Sequence, residues 1–327
     1  LKSEVYSFPS TKYANLLSAY KRLAKDVMTI KLEDPYYKKL QQSIEKEYSS
    51  LVELSRIFDI LSYRKNIILS IVGNGIFFLD LFIAIFFNSF TKRLKSIEEC
   101  LDALSELELM LSLATIGMDQ EVYSLPTITE GFKIVEGYHP LVKACVPNSF
   151  EFKNGIVLTG SNMSGKTTFM RMLGVNQVLA NAGGLVCAKE LQTGQYEVVT
   201  SLRANDMLQE GISTFYAEVN RMKRIMEESK NPNTLVLVDE IFKGTNAKDR
   251  IFAAKEIIKK LDSLGVYFLI TTHDFELCDV ESIQNYHFDE EYIEDKISFD
   301  YKIKDGKCQK TNAIYLLKLA GVLDKEQ

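Results

Sequence analysis

Histidine and cysteine are scarce in this chain of 327 residues, and the few present are scattered. The three histidines, His139, His273 and His287, lie far apart, so the sequence gives no local support for a metal cluster. The five cysteines are Cys100, Cys145, Cys187, Cys278 and Cys308. None forms a Cys-x-x-Cys pair and the count is odd, which argues against a zinc site or a disulfide framework. Reduced, mostly buried thiols in a cytoplasmic protein are the expectation. An excess of basic charge is missing too. The net charge of -5 argues against a large nucleic-acid surface on this piece, without excluding a local basic patch. No secretory signal peptide is visible. The chain starts with Leu1 and not Met, so it is expected to be a piece of a longer protein. At 46% hydrophobic and 25% charged residues the composition is globular, and the length suits about two domains.

Residues 1–118 read as an all-α helical domain. Over 13–31, Leu16, Leu17, Tyr20, Leu23, Val27 and Ile30 recur near helical spacing. Leu40, Ile44, Leu51, Leu54 and Ile57 do the same over 37–60. Glu33-Asp34-Pro35 punctuates the two. A third amphipathic helix, rich in Glu and Leu, is expected over 91–113. Residues 67–87 are long and apolar enough to raise the question of a membrane span. Asp80 near the middle of such a span would cost about 2.5–3.5 kcal/mol. Basic residues flank both ends (Arg64 and Lys65, Lys92 and Arg93), so no orientation is specified. A buried or interface helix is favoured and a membrane tether is the disfavoured alternative.

From 119 to 327 the pattern changes to short apolar runs alternating with helices, which predicts an α/β domain with a largely parallel sheet. Strands are expected at 156–158, 196–200, 235–238 and 266–271. Between the first strand and a helix expected over 169–178 stands Gly160-Ser161-Asn162-Met163-Ser164-Gly165-Lys166-Thr167-Thr168. It fits Gly-x-x-x-x-Gly-Lys-Thr, the phosphate-binding loop of nucleotide hydrolases. Backbone N–H groups of such a turn, aimed at a helix start, form an anion site. Lys166 would add charge toward the β- and γ-phosphates of ATP, and Thr167 would offer its hydroxyl to Mg²⁺.

Three further stretches fit the same chemistry. Leu235-Val236-Leu237-Val238-Asp239-Glu240 reads as a buried strand delivering two carboxylates to the edge of the sheet. Asp239 would hold Mg²⁺ and Glu240 would polarise the attacking water as general base. Taken alone it could equally be a strand ending in a solvated acidic turn; the phosphate loop 73 residues upstream decides for the first reading. Thr271-Thr272-His273-Asp274 follows another apolar run. A His there can donate a hydrogen bond to a γ-phosphate and sense its presence. Between loop and carboxylates lies Glu210-Gly211-Ile212-Ser213-Thr214-Phe215, where Ser213 or Thr214 with Glu218 also fits a helix cap. The order phosphate loop, serine at a helix start, Asp-Glu strand, His is that of the ATP-binding-cassette class. There the serine segment of one subunit closes over the nucleotide of the other.

The chain resembles the MutS family of mismatch-repair ATPases. The carriers are the loop from Thr159 to Thr168, Asp239-Glu240-Ile241-Phe242-Lys243-Gly244-Thr245, Ser213-Thr214-Phe215 with Glu218, and Thr272-His273. Tyr138-His139-Pro140-Leu141-Val142 resembles the family's His-Pro element, and Leu319-Ala320-Gly321-Val322 its C-terminal Leu-Ala-Gly-Val. The helix expected over 91–113 is similar to the one that ends the family's core lever domain. Phe242-Lys243 stands where Gly-Arg is more usual. No stretch resembles the mismatch-reading domain, the long DNA clamp or an appended nuclease domain.

The resemblance implies an ABC-class P-loop NTPase fold and ATP hydrolysis with Mg²⁺ at a site shared across a homodimer. ATP would sit on Gly160 to Thr168 and on Ser213 from the partner. Lys166, Glu240 and His273 would be catalytic, and Thr167 and Asp239 would face the metal. It also implies coupling to mismatched or branched DNA in the full-length protein. The alternative is a nucleotide-gated, membrane-tethered interaction protein without mismatch recognition. A transporter subunit is disfavoured, because its Leu-Ser-Gly-Gly-type signature is missing.

Overall fold

A computed structural model of the chain describes residues 10–63, 94–153, 155–161, 163–202, 214–242, 245–293 and 296–308. The apolar stretch 67–87, Asn162, Ser213, Lys243, Gly244 and the C-terminal motif at 319–322 lie outside these residues. The chain divides into two compact units, Leu1–Leu113 and Ala114–Gln327.

The described part of the first unit is helical. α1 spans Ser10–Thr29, α2 Pro35–Tyr63 and α3 Leu94–Asp119, the last running on into the second unit. The Glu33-Asp34-Pro35 punctuation is a helix start: Asp34 Oδ1 accepts the Tyr37 N–H at 2.8 Å and Pro35 takes the first helical position. The last carbonyls of α1 have no partner inside their own helix. They are met from α2: Val27 O accepts from the Tyr37 hydroxyl (2.9 Å) and from Gln41 Nε2 (3.1 Å), which also serves Ile30 O at 3.2 Å. The apolar stripes form one core: Leu17, Ala24 and Val27 from α1, Leu40, Ile44, Leu51, Leu54 and Ile57 from α2, and Ile97, Cys100, Leu104 and Leu107 from α3. α3 extends past the expected end at 113. Gly117 permits this, since a Cβ there would stand 2.8 Å from Leu185 Cδ1.

The second unit holds two sheets. The strands are β1 Thr127–Ile128, β2 Phe132–Gly137, β3 Asn148–Phe152, β4 Ile156–Thr159, β5 Glu190–Thr193, β6 Glu197–Ser201, β7 Thr234–Asp239, β8 Tyr267–Thr271, β9 Gln284–Ile293 and β10 Lys296–Asp305. The helices are α4 Lys166–Asn181, α5 Thr214–Glu228 and α6 Ala247–Ser263. The larger sheet has the order β10-β9-β4-β8-β7-β6, parallel from β9 to β6, with β10 antiparallel at one edge. The smaller runs β1-β5-β2-β3.

Strands buried on both faces read as continuous apolar runs, and β4 and β7 are of this kind. Ile156, Leu158, Leu235 and Leu237 face one core with Phe169, Met170 and Leu173 of α4 and with Phe132, Ile134, Phe150 and Phe152 of the smaller sheet. Val157, Val236 and Val238 face the other, with Met222 and Ile225 of α5 and Ala254, Ile258 and Leu261 of α6. Gly155 sets the entry to β4: a Cβ there would meet the Phe268 ring at 1.9 Å. The parallel register places Leu158 and Asp239 both opposite Thr271, so the carboxyl ends of β4, β7 and β8 line up along one rim.

The expected strands at 156–158, 196–200, 235–238 and 266–271 correspond to β4, β6, β7 and β8 within about two residues. The smaller sheet and the β9–β10 hairpin had no counterpart in the sequence reading.

Candidate functional site

The loop between β4 and α4 opens at that rim. Gly160 (φ 146°) and Gly165 (φ 108°) adopt conformations that L-residues avoid. A Cβ at Gly160 would also meet Phe288 O and Ser164 Oγ at 2.9 Å. α4 starts at Lys166, three residues before the expected helix, and no side chain caps it. Uncapped first-turn N–H groups at a helix start suit an anion. Lys166 is buried, and its ammonium donates to the carbonyls of Gly160 (2.7 Å) and Ser161 (2.8 Å). The cation is thus folded back onto its own loop.

Thr167 Oγ1 donates to Asp239, 3.1 Å from both carboxylate oxygens. Asp239, the last residue of β7, is buried and also accepts from Thr271 Oγ1 at 2.7 Å. The chain then turns through two left-handed residues, Glu240 and Phe242, each at φ 55°. The Glu240 N–H donates to both the carbonyl and the hydroxyl of Thr271, at 3.1 Å each. This holds the Glu240 main chain, and the carboxylate Oε1 lies 2.9 Å from His273 Nε2. The Glu240 side chain is 13% exposed and that of His273 38%.

These groups face a cavity of about 630 Å³, within the range of small-molecule ligand pockets. Lys166, Thr167, Thr168, Asp239 and Glu240 line it, as do Ser161, Met163, Ser164 and Gly165 of the loop. His273 is not a lining residue and adjoins the cavity through Glu240. The hydroxyls of Ser161 and Ser164 are buried and without a hydrogen-bond partner among the described residues. Orphaned buried hydroxyls are uncommon, and two in one glycine-rich loop fit an anion-binding loop. Among the described residues no cluster of three or more His, Cys, Asp or Glu could hold a metal. The oxygen pair of Thr167 and Asp239 fits a hard cation that keeps most of its water, as Mg²⁺ does. No described helix is long and apolar enough to cross a membrane.

Three residues near the site, Thr271, Arg250 and Tyr301, gave no sequence signal of their own. Thr271 was one letter of the Thr-Thr-His-Asp stretch, yet it bonds both Asp239 and Glu240. Arg250 forms a two-pronged ion pair with Asp274. Bonding to Asp274 raises the pKa of its guanidinium further. Tyr301, from a bulged part of β10, lines the cavity with its ring 3.2 Å from where a Gly165 Cβ would be. His139 of the His-Pro element accepts the Leu141 N–H on Nδ1 at 3.2 Å. Burial, then the Arg171 charge, lower its pKa.

The family model described as MutS domain V matches residues 156–325, just over half of the chain. Three relatives are each described as DNA mismatch repair protein MutS. That of Halothermothrix orenii is 32% identical over 248 residues, covering 70% of this chain. That of Natronomonas pharaonis is 31% identical over 240 residues and 69% of this chain. That of Aquifex pyrophilus is 29% identical over 246 residues and 71% of this chain. The chain spans 28% of the length of each. The stretch matched by the family model holds the glycine-rich loop, Asp239, Glu240, Thr271 and His273, and the chain belongs to the MutS family, to its C-terminal region.

Proposed function

We propose that the chain is a MutS-type ATPase with a P-loop NTPase domain over 119–327 and a core/lever-like helical domain over 1–118. It would hydrolyse ATP to ADP and phosphate. The observation that carries this reading is one convergence: the loop from Gly160, the Thr167–Asp239 pair and the Glu240–His273 pair all gather at the carboxyl ends of β4, β7 and β8. Ligands of open α/β sheets bind at that edge.

In this reading the triphosphate takes the loop amides, the Ser161 and Ser164 hydroxyls and the Lys166 ammonium, which exchanges two carbonyls for phosphate oxygens. Thr168 of the same loop lines the cradle, and by the family resemblance Ser213 of a second copy completes it. Asn162, Met163 and Gly165 belong to the same nucleotide-binding stretch of sequence. Thr167 and Asp239 hold Mg²⁺, which supplies charge neutralisation at the phosphates. Glu240 orients and deprotonates the attacking water, and His273 holds Glu240 while reporting on the γ-phosphate. Tyr301 offers a ring face for the base. Coupling to DNA in mismatch repair is carried over from relatives named as mismatch repair proteins, recombination control from the family resemblance alone, and both belong to the full-length protein.

The test is ATP turnover and nucleotide binding in wild-type, Lys166→Ala and Glu240→Gln proteins. Lys166→Ala should lose turnover and weaken nucleotide binding. Glu240→Gln should lose turnover while keeping ATP bound. Rates equal to wild type in both variants would overturn the reading.

A further inference from the structure

We propose that Arg250 and Asp274 form a clamp that holds the His273 loop against Glu240, which makes Arg250 a positioning residue for hydrolysis; the proposal rests on the ATPase reading of the site. The two residues that must meet, Glu240 and His273, sit on separate loops after adjacent strands β7 and β8. The His273 side chain is more than a third exposed, so burial alone does not fix it. Its backbone is fixed instead, on both sides. Before it, the Thr272 N–H donates to Leu158 O of β4 at 3.0 Å, and the Thr272 hydroxyl accepts the Asp274 N–H at 3.0 Å. After it, Asp274 is gripped from α6. Arg250 Nε and Nη2 donate to Asp274 Oδ2 and Oδ1 at 2.8 and 2.7 Å, the parallel fork geometry that gives the strongest and most directional ion pairs.

Two details mark this pair as more than a surface contact. Both side chains are largely buried, 25% and 17% exposed. Asp274 also stands at the start of the short helix Phe275–Asp279, where an aspartate usually accepts an amide of its own helix. It makes no such bond, and both oxygens go to Arg250. The other end of the clamp is anchored as well. Arg250 lies in the first turn of α6, whose cap Asn246 accepts the Asp249 N–H at 3.0 Å. That helix begins at Ala247, seven residues along the chain from Glu240. The clamp thus ties the segment following Glu240 to the residue following His273. It bears on the distance between the two, and the Arg250 charge also faces Glu240.

The experiment is steady-state ATP turnover of wild type, Arg250→Gln, Asp274→Asn, the double variant, and Arg250→Gln with His273→Gln. Each single variant should lower kcat by about 10- to 100-fold with KM within about twofold, the loss expected when a reacting group is misplaced by about an ångström. The double variant should be no worse than either single. Arg250→Gln should add nothing in the His273→Gln background, because it acts through that ring. Additive losses there, or losses carried by KM, would overturn the proposal. A wild type without turnover would sink the ATPase reading and leave the clamp to proton NMR of the three histidine rings. There Arg250→Gln must move the His273 signal and leave His139 and His287 in place. An unmoved His273 signal, or three moved signals, refutes the clamp.

Discussion

Replacing Thr271 by valine tests the buried core of the site without touching any group that would contact nucleotide. Thr271 is fully buried and valine keeps its branched shape. What disappears is one hydroxyl, which donates to Asp239 Oδ1 at 2.7 Å and accepts the Glu240 N–H at 3.1 Å. The two losses are unequal. The Glu240 N–H keeps the Thr271 carbonyl at 3.1 Å and is not orphaned. Asp239 loses a short bond to a buried carboxylate and retains Thr167. A hydrogen bond to a charged group contributes about 1.5–3 kcal/mol, so the expected loss is about 2 kcal/mol. For a domain the size of the second unit that corresponds to a fall in melting temperature of about 4–8 °C.

The assay is a thermal melt followed by circular dichroism, with Thr271→Ser as control. Serine keeps the hydroxyl and removes one methyl, about 0.8 kcal/mol of burial, so its melt should fall by less than half as much. Turnover should separate the pair more sharply: serine near wild type, valine strongly reduced, with a raised Mg²⁺ requirement because Asp239 is no longer held. A valine variant melting within about one degree of wild type would refute the assignment of Thr271 as the residue that holds Asp239.

Other perturbations reach different parts of the site. Burial pushes the Cys100 and Cys278 thiols up to about 11, so at about pH 8 each of these two is about one part in a thousand thiolate; Cys187 and Cys308 are buried as well, so an aromatic disulfide reagent should label Cys145 first in the native protein. Cys145 lines the cavity, so ATP should slow that labelling; equal rates with and without ATP would count against nucleotide occupying it. Tyr301→Ala should weaken nucleotide binding by about 5- to 150-fold, the value of base–aromatic stacking, with Tyr301→Phe close to wild type by calorimetry. Phe242→Ala should be less stable than Phe242→Gly by about 1 kcal/mol in chemical denaturation, the reverse of the usual order, because alanine keeps the left-handed strain that glycine relieves.

The parts of this molecule that could be read from its sequence are those where one physical demand dominates. β4 and β7 are buried on both faces and therefore spell uninterrupted apolar runs ending at the glycine-rich loop and at Asp239. The loop at Gly160 is legible because its conformation needs glycine at two fixed positions. The rest answers to mixed demands. β9 carries Asp289, Glu290 and Glu291 and is held by pairing with β4 and β10, so hydropathy does not mark it. β2 and β3 do alternate, with Phe132 and Ile134, and Phe150 and Phe152, facing inward, but each is short and flanked by irregular chain. Arg250 sits on a charged helical surface where nothing in the local pattern separates it from Lys248 or Lys255. Tyr301 reaches the loop from a distant strand, and no spacing connects the two.

The turn after β7 departs from the family pattern and still keeps the Glu240–His273 contact. Two left-handed residues within three positions cost about 1–2 kcal/mol each. At Glu240 the strain is offset by an amide gripped twice by Thr271. At Phe242, where the family more usually has glycine, the offset is different in kind. The ring is 5% exposed, belongs to the core under α5 and α6, and stacks at a tilt on Phe215 with centroids 5.6 Å apart. Burying a phenylalanine contributes about 1.5–3 kcal/mol, enough to cover the backbone strain at its own position. Glycine leaves such a turn free to open. Phenylalanine pins it to the start of α5, the helix that follows Ser213. The departure therefore trades conformational freedom after Glu240 for a side-chain link between the carboxylate turn and α5, and any movement of that helix start must be felt two residues from Glu240.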